Sequence, residues 1–405
     1  MKTTLSNHEK KSYIYLLDVI SAVINGKSIP CPPEGVSAFE VLKLSAPTSM
    51  DAMFSDAMLK LPKELFSDNE LKYFRNHKNK ALIKDINQMY EIDKILKVFD
   101  EYKIKNVPLK GFFLKKEYPQ SEYRYMCDLD ILIDYKEIDM VKKALLQLEY
   151  IFESNDDNQY HFKKEPYMFV EAHTSIVHEN ELYYPYVKDI LNTAEPWGEY
   201  EYSCNIKPED FYLYMLIHTS NHFRLAGMGI RMILDIYLYY LHHSSKFDFC
   251  YLNKMLEVYK LKTFEEKLRN TAYKWFSPDS VVTDFNELET FIILSGLIGT
   301  TEKAIMISSS KEISKRRNQG KNASKLNYLL KSIFPPSDKL IYQYPYLNKS
   351  KIFLPAAWIS MWFNRIFIKR NVHLKRGLTL RLNYRQDDVD YYKKIALSLG
   401  FDDLN

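Results

Sequence analysis

The sequence DLDILID at residues 128–134 decides the fold. Apolar residues occupy every second position from Leu129 to Ile133, and three of the positions between and around them are acidic, which predicts a β-strand. Asp128 and Asp130 would then project from one face, close enough for their charges to repel. A divalent cation between them relieves that repulsion, and Mg²⁺ prefers such hard oxygen ligands. The alternative is an Asp pair on a solvated strand edge, since a motif this short is weakly specific.

The residues just before this strand predict a strand, a glycine turn and a short helix. The strand is predicted over 104–109, and Gly111 permits a tight turn with a close approach of the backbone to a ligand. The helix predicted over 112–118 would direct its amino end towards a phosphate. The order is thus a strand, a glycine turn, a helix and a second strand with Asp-x-Asp, which favours the interpretation of Asp128 and Asp130 as metal ligands.

The order of elements resembles the nucleotidyltransferase superfamily and, more closely, the bacterial family of uncharacterised nucleotidyltransferases. The motifs that carry the resemblance are Leu109-Lys110-Gly111, Tyr118-Pro119, Arg124, Asp128-Leu129-Asp130 and Glu171-Ala172-His173. Further matches, which extend the resemblance to about residues 85–370, are His218, His222, Asp235, Tyr344-Pro345 and Pro355. One departure is Phe112, which stands where many superfamily members have a serine, so one hydroxyl contact to the phosphate is missing.

The resemblance implies a polymerase-beta-like fold and a Mg²⁺-dependent activity. The expected reaction transfers a nucleoside monophosphate from an NTP, with ATP favoured, to a hydroxyl of an unidentified acceptor and releases pyrophosphate. Two alternatives stay open: a phosphotransferase (kinase) on the same scaffold, and a non-catalytic nucleotide-binding protein. The presence of all three acids argues against the second alternative, and the sequence contains neither a P-loop nor a protein-kinase signature.

Glu171 lies in an apolar run that predicts another strand over 167–175. A carboxylate buried there without a partner is costly, so Glu171 is predicted to complete a metal-binding triad with Asp128 and Asp130. Two Mg²⁺ ions, with Mn²⁺ as the substitute, would hold the phosphates and activate the attacking hydroxyl, whose proton Glu171 would accept. The alternative is an exposed Glu on an edge strand. His173 shares this face and is predicted to orient a carboxylate, to contact a phosphate, or to be structural.

Lys110 and Arg124 are the cations nearest to the Asp-x-Asp motif in the sequence. The charge on a transferring nucleotidyl group requires cationic partners. Lys110 and Gly111 are therefore predicted to bind the phosphates. Arg124 would either reach a phosphate or pair with an aspartate.

A buried helix is predicted over 209–219, with His218 and His222 four residues apart at its end. No Glu follows the first histidine as it does in a zinc protease motif, so structural histidines are favoured over metal ligands. Arg231 and Asp235 have the same spacing and are predicted to pair within a helix.

The remaining elements predict an α+β fold, in which a small mixed β-sheet with helices on one face is embedded in largely α-helical N- and C-terminal regions. The predicted domains are a helical region at 1–84, a nucleotidyltransferase core at 85–180 and a mostly α-helical domain at 181–405. A hairpin is predicted over 150–163. Helices are predicted over 85–103, 136–148, 230–240, 251–259, 263–276, 287–297 and 323–334.

Composition indicates a globular protein, since 32 Tyr, 23 Phe and 27% charged residues are typical of a chain with a packed core. A net charge of +4 is too small to indicate nucleic acid as a partner. Four scattered cysteines without a CxxC motif predict free thiols in a reducing cytoplasm. The amino terminus lacks the pattern of a signal peptide.

Two segments near the carboxyl end have an open interpretation. The apolar stretch 352–368 contains Asn364 and Arg365 and is too short to span a membrane. Basic residues follow it, so 352–381 would either contact a membrane surface or, as favoured, form a buried helix and loop. The basic run at 311–321 is predicted to be a solvated face or to attract an anionic acceptor.

Overall fold

The computed structural model describes residues 2–156, 158–176, 183–184, 189–300, 303–308, 333–341, 343–363 and 386–401. The chain divides into two compact units. The large unit comprises Thr4–Ser220 and Gly229–Leu297, and the small unit comprises Met1–Thr3, Asn221–Met228 and Ile298–Asn405. The mixture of helices with a five-stranded mixed sheet confirms the predicted α+β class.

The sheet of the large unit has the strand order β1-β2-β5-β4-β3. Its strands are β1 (Asn106–Pro108), β2 (Leu129–Ile133), β3 (Ile151–Asp156), β4 (Gln159–Lys164) and β5 (Met168–His173). β2 and β5 are parallel, and the other neighbouring pairs are antiparallel. A separate two-stranded sheet consists of β6 (Glu195–Pro196) and β7 (Cys204–Asn205). The predicted strands and the hairpin are thus confirmed, although β1 is shorter than expected.

β2 is buried at all five positions, whereas its alternating sequence predicted a half-buried strand. Leu129, Ile131 and Ile133 are at most 1% exposed. The acid face is covered as well, because Lys110 Nζ lies 3.5 Å from Asp130 Oδ2. The alternation therefore predicted the strand β2 correctly. It did not predict that the face with Asp130 would be covered.

The large unit contains most of the helices that the structure describes. In chain order they are α1 (Asn7–Ile24), α2 (Ala38–Ser45), α3 (Asp51–Met58), α4 (Asp68–Glu101), α5 (Gly111–Lys115), α6 (Ile138–Gln147), α7 (Pro208–Leu225), α8 (Ile230–His243), α9 (Phe249–Val258), α10 (Lys262–Phe276) and α11 (Glu287–Ile293). α7 ends five residues beyond Ser220, within a segment that belongs to the small unit.

α4 is much longer than the helix predicted over 85–103, and it passes through the domain boundary predicted at residue 84. It begins earlier because Ser67 and Glu70 form a capping box at its amino end. Gln88, on its buried side, donates 3.2 Å hydrogen bonds to the carbonyl groups of Met126 and Tyr167. These two residues precede β2 and β5, so a single amide links the entries of both strands.

The small unit contains α12 (Leu354–Phe363) and α13 (Gln386–Ser398), and residues 303–308 are also helical. Ala357 and Met361 of α12 pack with Leu340, Tyr344 and Leu347. The helix predicted over 323–334 lies largely outside the described residues, as do the basic run 311–321 and residues 364–381 of the suggested membrane-contact segment. Within the described ranges, no helix combines the length and apolarity needed to cross a bilayer. All four cysteines are free, as predicted.

Candidate active site

The parallel pairing of β2 with β5 brings together acids from separate strands. Asp130 is in register with Glu171, so the two side chains project from the same face of the sheet. His173 follows Glu171 by two residues and shares that face. One ligand atom each from Asp130, Glu171 and His173 lies within 4.8 Å of the other two. Part of the predicted constellation is therefore present as a compact cluster.

Asp130 is the centre of this cluster and is only 8% exposed. His173 Nε2 lies 2.8 Å from Asp130 Oδ1 and 3.7 Å from Glu171 Oε2. Burial raises the pKa of Asp130, but the Lys110 ammonium and the hydrogen bond from His173 hold that pKa below its usual range. Asp130 therefore stays ionised at neutral pH.

Asp128 lies one residue before β2. The third member of the cluster found in the described chain is His173, whereas the sequence predicted Asp128. Burial raises the pKa of Asp128 to about 6, with further contributions from the negative charges of Asp130 and Glu171. Lys110 opposes this rise only partly. The site therefore has an excess of negative charge.

Glu171 is the most accessible member of the cluster, with 27% of its side chain exposed. Its partner on the neighbouring antiparallel strand β4 is His161, whose Nδ1 lies 3.5 Å from Glu171 Oε1. Glu171 thus lies between two imidazoles, one on its own strand and one on β4. His161 could not be identified from the sequence, because its contact with Glu171 depends on the register between β4 and β5.

The turn before α5 brings Lys110 to Asp130. The Leu109 amide donates to the Asp130 carbonyl at 2.8 Å, and Lys110 then adopts a positive φ of 25°. A non-glycine residue in this region is strained, which is common where a side chain must be held in a fixed position. Packing gives Gly111 a further role, because a Cβ atom there would lie 2.8 Å from Cγ and Sδ of Met126 and would force that side chain to shift.

α7 contributes two further residues, Tyr214 and His218. Lys110 Nζ lies 5.7 Å from the centre of the Tyr214 ring, which is buried. The His218 side chain acts electrostatically on Asp130 and lowers its pKa. Tyr214 lies within the helix predicted over 209–219, and its i, i+4 spacing from His218 is the signal in the sequence that the two side chains share a face. His222 lies in the segment Asn221–Met228, which belongs to the small unit.

Arg124 takes part in a buried network with Asp235 and Tyr118. Its Nε and a terminal nitrogen donate to the two carboxylate oxygens of Asp235 at 2.8 and 2.9 Å. The Tyr118 hydroxyl donates to the same carboxylate at 2.7 Å. This corrects the predicted pairing of Arg231 with Asp235, since Arg231 donates instead to the Tyr125 carbonyl at 2.9 Å. Phosphate binding by Arg124 would require it to leave Asp235 and stays a prediction.

The donor atoms of the cluster fit a divalent cation. Asp130 and Glu171 offer the carboxylate oxygens that Mg²⁺ and Mn²⁺ prefer. The hydrogen-bond distance from His173 to Asp130 suits a histidine that orients a metal-binding carboxylate, an arrangement that is common around metal sites. As a direct ligand, the imidazole would instead favour a transition metal over Mg²⁺.

Comparisons with known proteins place this site in a family. Residues 37–277, more than half of the chain, match the family described as "Uncharacterised nucleotidyltransferase". The match begins before residue 85 and ends before Tyr344, so it differs at both ends from the extent predicted for the resemblance. No curated protein is significantly similar to the chain.

A solution structure of the antibiotic-resistance factor ANT(2'')-Ia is similar to part of this chain, and the match covers 46% of this chain and 91% of that one. Its sequence identity is 13%, and the TM-score is 0.30.

Proposed function

Since the chain belongs to the uncharacterised nucleotidyltransferase family, we propose that it transfers a nucleoside monophosphate from an NTP to a hydroxyl acceptor with the help of Mg²⁺. ATP is the first candidate for the NTP, and pyrophosphate is the expected second product. The convergence of Asp130, Glu171 and His173, with Asp128 two residues before Asp130, is the observation that supports this proposal.

The acids would hold the metal ions, with Asp128, Asp130 and Glu171 as the proposed ligands and His173 orienting Asp130. Bound Mg²⁺ would supply positive charge for the phosphates and lower the pKa of the acceptor hydroxyl. The repulsion that raises the pKa of Asp128 to about 6 is consistent with a place for cations, because a cation would offset that repulsion.

Lys110 is proposed to contact the transferring phosphate. Burial lowers the pKa of Lys110, but the Asp130 carboxylate and the Tyr214 side chain more than offset this effect, so the ammonium stays charged. A positive charge held in position beside the reacting group stabilises the negative charge that develops there. Gly111 would let the backbone approach the same phosphate.

Glu171 is proposed to accept the proton of the attacking hydroxyl. It is more exposed than Asp130, so an acceptor can reach it, and His161 and His173 restrain its carboxylate from either side. A general base must lie within hydrogen-bond reach of the proton that it removes, which such restraint favours.

The substitution Asp130→Asn tests the proposal, with Asp134→Asn as its matched control. Asp134 belongs to the same DLDILID sequence but is exposed, and an Asn there can still accept the Lys136 amide. We expect Asp130→Asn to weaken Mg²⁺-dependent binding of a non-hydrolysable ATP analogue by at least about tenfold, a loss of about 1.4 kcal/mol. Asp134→Asn should bind the analogue like the wild type. Calorimetry measures the binding, and thermal unfolding checks that both variants fold.

ATP labelled on either the α- or the γ-phosphate then identifies the reaction. Transfer of the α-label to acceptors in a cell extract supports nucleotidyl transfer, whereas transfer of only the γ-label would identify a kinase. An Asp130→Asn variant with full turnover would show that the metal assignment is wrong.

A further inference from the structure

A cavity of ≈ 290 Å³ in the large unit has Tyr214 in its wall. Tyr214 is also the ring that lies against Lys110 in the candidate active site. The cavity and the site therefore share one side chain. A molecule bound in the cavity would contact the same tyrosine that lies against Lys110, the proposed phosphate contact.

The lining of this cavity is strongly acidic. Four acids line it, namely Asp189, Glu209, Asp210 and Asp248, and the described lining residues include one base, Lys207. The described lining therefore carries four negative charges and one positive charge, a net charge of −3, with Asp189 and Asp248 exposed and Glu209 buried. A cavity with this charge favours a cationic ligand.

Glu209 is the residue in the lining that most needs a ligand. It is 8% exposed, and among the described residues its carboxylate has neither a hydrogen bond nor an ion pair. Its neighbour Asp210 accepts one hydrogen bond, from the Tyr251 hydroxyl at 2.7 Å. Glu209 is thus a buried carboxylate beside the half-buried Asp210, and the side-chain hydrogen bond to this pair within the described chain comes from one neutral donor. A cation between the two carboxylates would offset the cost of burying Glu209.

Their position at the start of α7 does not remove this need. Acids in the first turn of a helix are stabilised by the helix dipole, but this effect is small and does not neutralise a charge. Burial and the charge of Glu209 raise the pKa of Asp210, and the hydrogen bond from Tyr251 and the charge of Lys207 offset this rise only partly. The two carboxylates therefore still repel each other at the helix end.

The size and the walls of the cavity favour an organic cation over a metal ion. A volume of ≈ 290 Å³ is far larger than a bare ion needs. Within the described chain, the group of ligands spaced closely enough to hold a metal ion is Asp130, Glu171 and His173. The acids of this cavity do not form such a group. Tyr214, Tyr251 and Tyr259 provide aromatic faces, which attract alkylammonium groups.

We infer that this cavity binds primary ammonium groups of the acceptor, with Glu209 and Asp210 as their partners. The inference rests on the proposed nucleotidyl transfer and narrows the acceptor to a hydroxylated amine. The ammonium groups anchor the molecule beside Tyr214, and one of its hydroxyls is the group that is modified.

Two small probes of the same skeleton test the inference on the full chain without nucleotide or metal. 1,3-Diamino-2-propanol carries two ammonium groups and a hydroxyl, and glycerol replaces both amines with neutral hydroxyls. Ligand-observed NMR titration should show binding of the diamine and at least about tenfold weaker binding of glycerol, the change expected when a charge-assisted contact is lost.

Two variants, each with one charge removed, locate the binding. Glu209→Gln and Asp210→Asn should each weaken diamine binding by about tenfold, while Glu266→Gln, an exposed change of the same kind on α10, should leave it unaltered. Equal binding of the two probes, no binding of either, or wild-type affinity in both cavity variants would overturn the inference.

The outcomes also separate this inference from the proposed function. Nucleotidyl transfer to acceptors that lack ammonium groups would overturn the cavity assignment and leave the proposed function standing. Diamine binding that depends on Glu209, in a chain that transfers only the γ-phosphate of ATP, would overturn the proposed function and support the cavity assignment.

Discussion

Replacing Asp235 with leucine tests whether the Arg124 network is structural. The Arg124 and Asp235 side chains are 6% and 8% exposed, and two hydrogen bonds of 2.8 and 2.9 Å join them. Asp235→Leu would leave a buried guanidinium without its counter-charge, at a cost of about 3–5 kcal/mol. The Tyr118 hydroxyl would lose its acceptor as well, for about another 1 kcal/mol. We therefore expect a loss of about 4–6 kcal/mol in the free energy of unfolding.

The double variant Arg124→Met/Asp235→Leu should recover much of that loss. Replacing both partners of a buried pair with apolar side chains of similar volume is often close to neutral. The losses in the free energy of unfolding of the two single variants, added together, should exceed the loss in the double variant by at least about 2 kcal/mol. Glu257→Leu is the control for an ordinary surface pair, because Glu257 and Lys262 are both more than half exposed, and it should cause no measurable loss.

Hydrogen exchange in increasing urea, followed by mass spectrometry on β2 and α8, measures these changes within the large unit. Strictly additive losses in the single and double variants would refute the reasoning, because they would show that Arg124 and Asp235 do not depend on each other. A folded double variant that no longer binds an ATP analogue would support the prediction that Arg124 reaches a phosphate.

Two further predictions concern stability. Gly111→Ala should lower the free energy of unfolding, measured by thermal unfolding, by about 1–3 kcal/mol, because its Cβ would lie 2.8 Å from two atoms of buried Met126. The loss should be smaller in a Met126→Ala background, and an equal loss there would contradict this explanation. Burial raises the pKa of Asp56, but hydrogen bonds from Lys78 and Tyr123 bring that pKa below its ordinary value of 3.8. The ionised Asp56 therefore stabilises the fold above pH 3.8, and this stabilisation is lost as the pH falls through the folded-state pKa. The stability difference between wild type and Asp56→Asn in denaturant titrations should therefore be largest at neutral pH and shrink below pH 4; a difference independent of pH would exclude this linkage.

The sequence predicted the elements of the core well because their signals are local. The period of two in residues 128–134 identified β2, and the motifs up to His173 identified the family. The pairing of β2 with β5 could not be predicted in the same way, since the β3–β4 hairpin separates the two strands along the chain. Whether Glu171 meets Asp130 or faces away depends on that register, because a shift of one residue would reverse the face of every side chain.

The partners of charged residues were harder to predict than their positions. Helical spacing suggested that Arg231 pairs with Asp235, but the carboxylate instead accepts hydrogen bonds from Arg124, which is 111 positions away in the chain. Helical spacing indicates only which side chains could meet on an isolated helix. It does not predict a different partner that tertiary packing brings closer. Tyr118, Arg124 and Asp235, three of the residues that carried the resemblance, form one buried hydrogen-bond network, so a structural role is sufficient to account for them.

The acids of the cavity show why a local signal can conceal a site. Glu209 and Asp210 directly follow Pro208, and acids at this position are what the start of an ordinary helix favours. The sequence therefore accounts for both residues without any ligand. What the helix signal does not contain is the burial of Glu209, which packing beyond the helix determines. A carboxylate that is suitable for a helix terminus becomes less favourable when packing removes most of its contact with solvent, and a cation in the cavity would offset that loss.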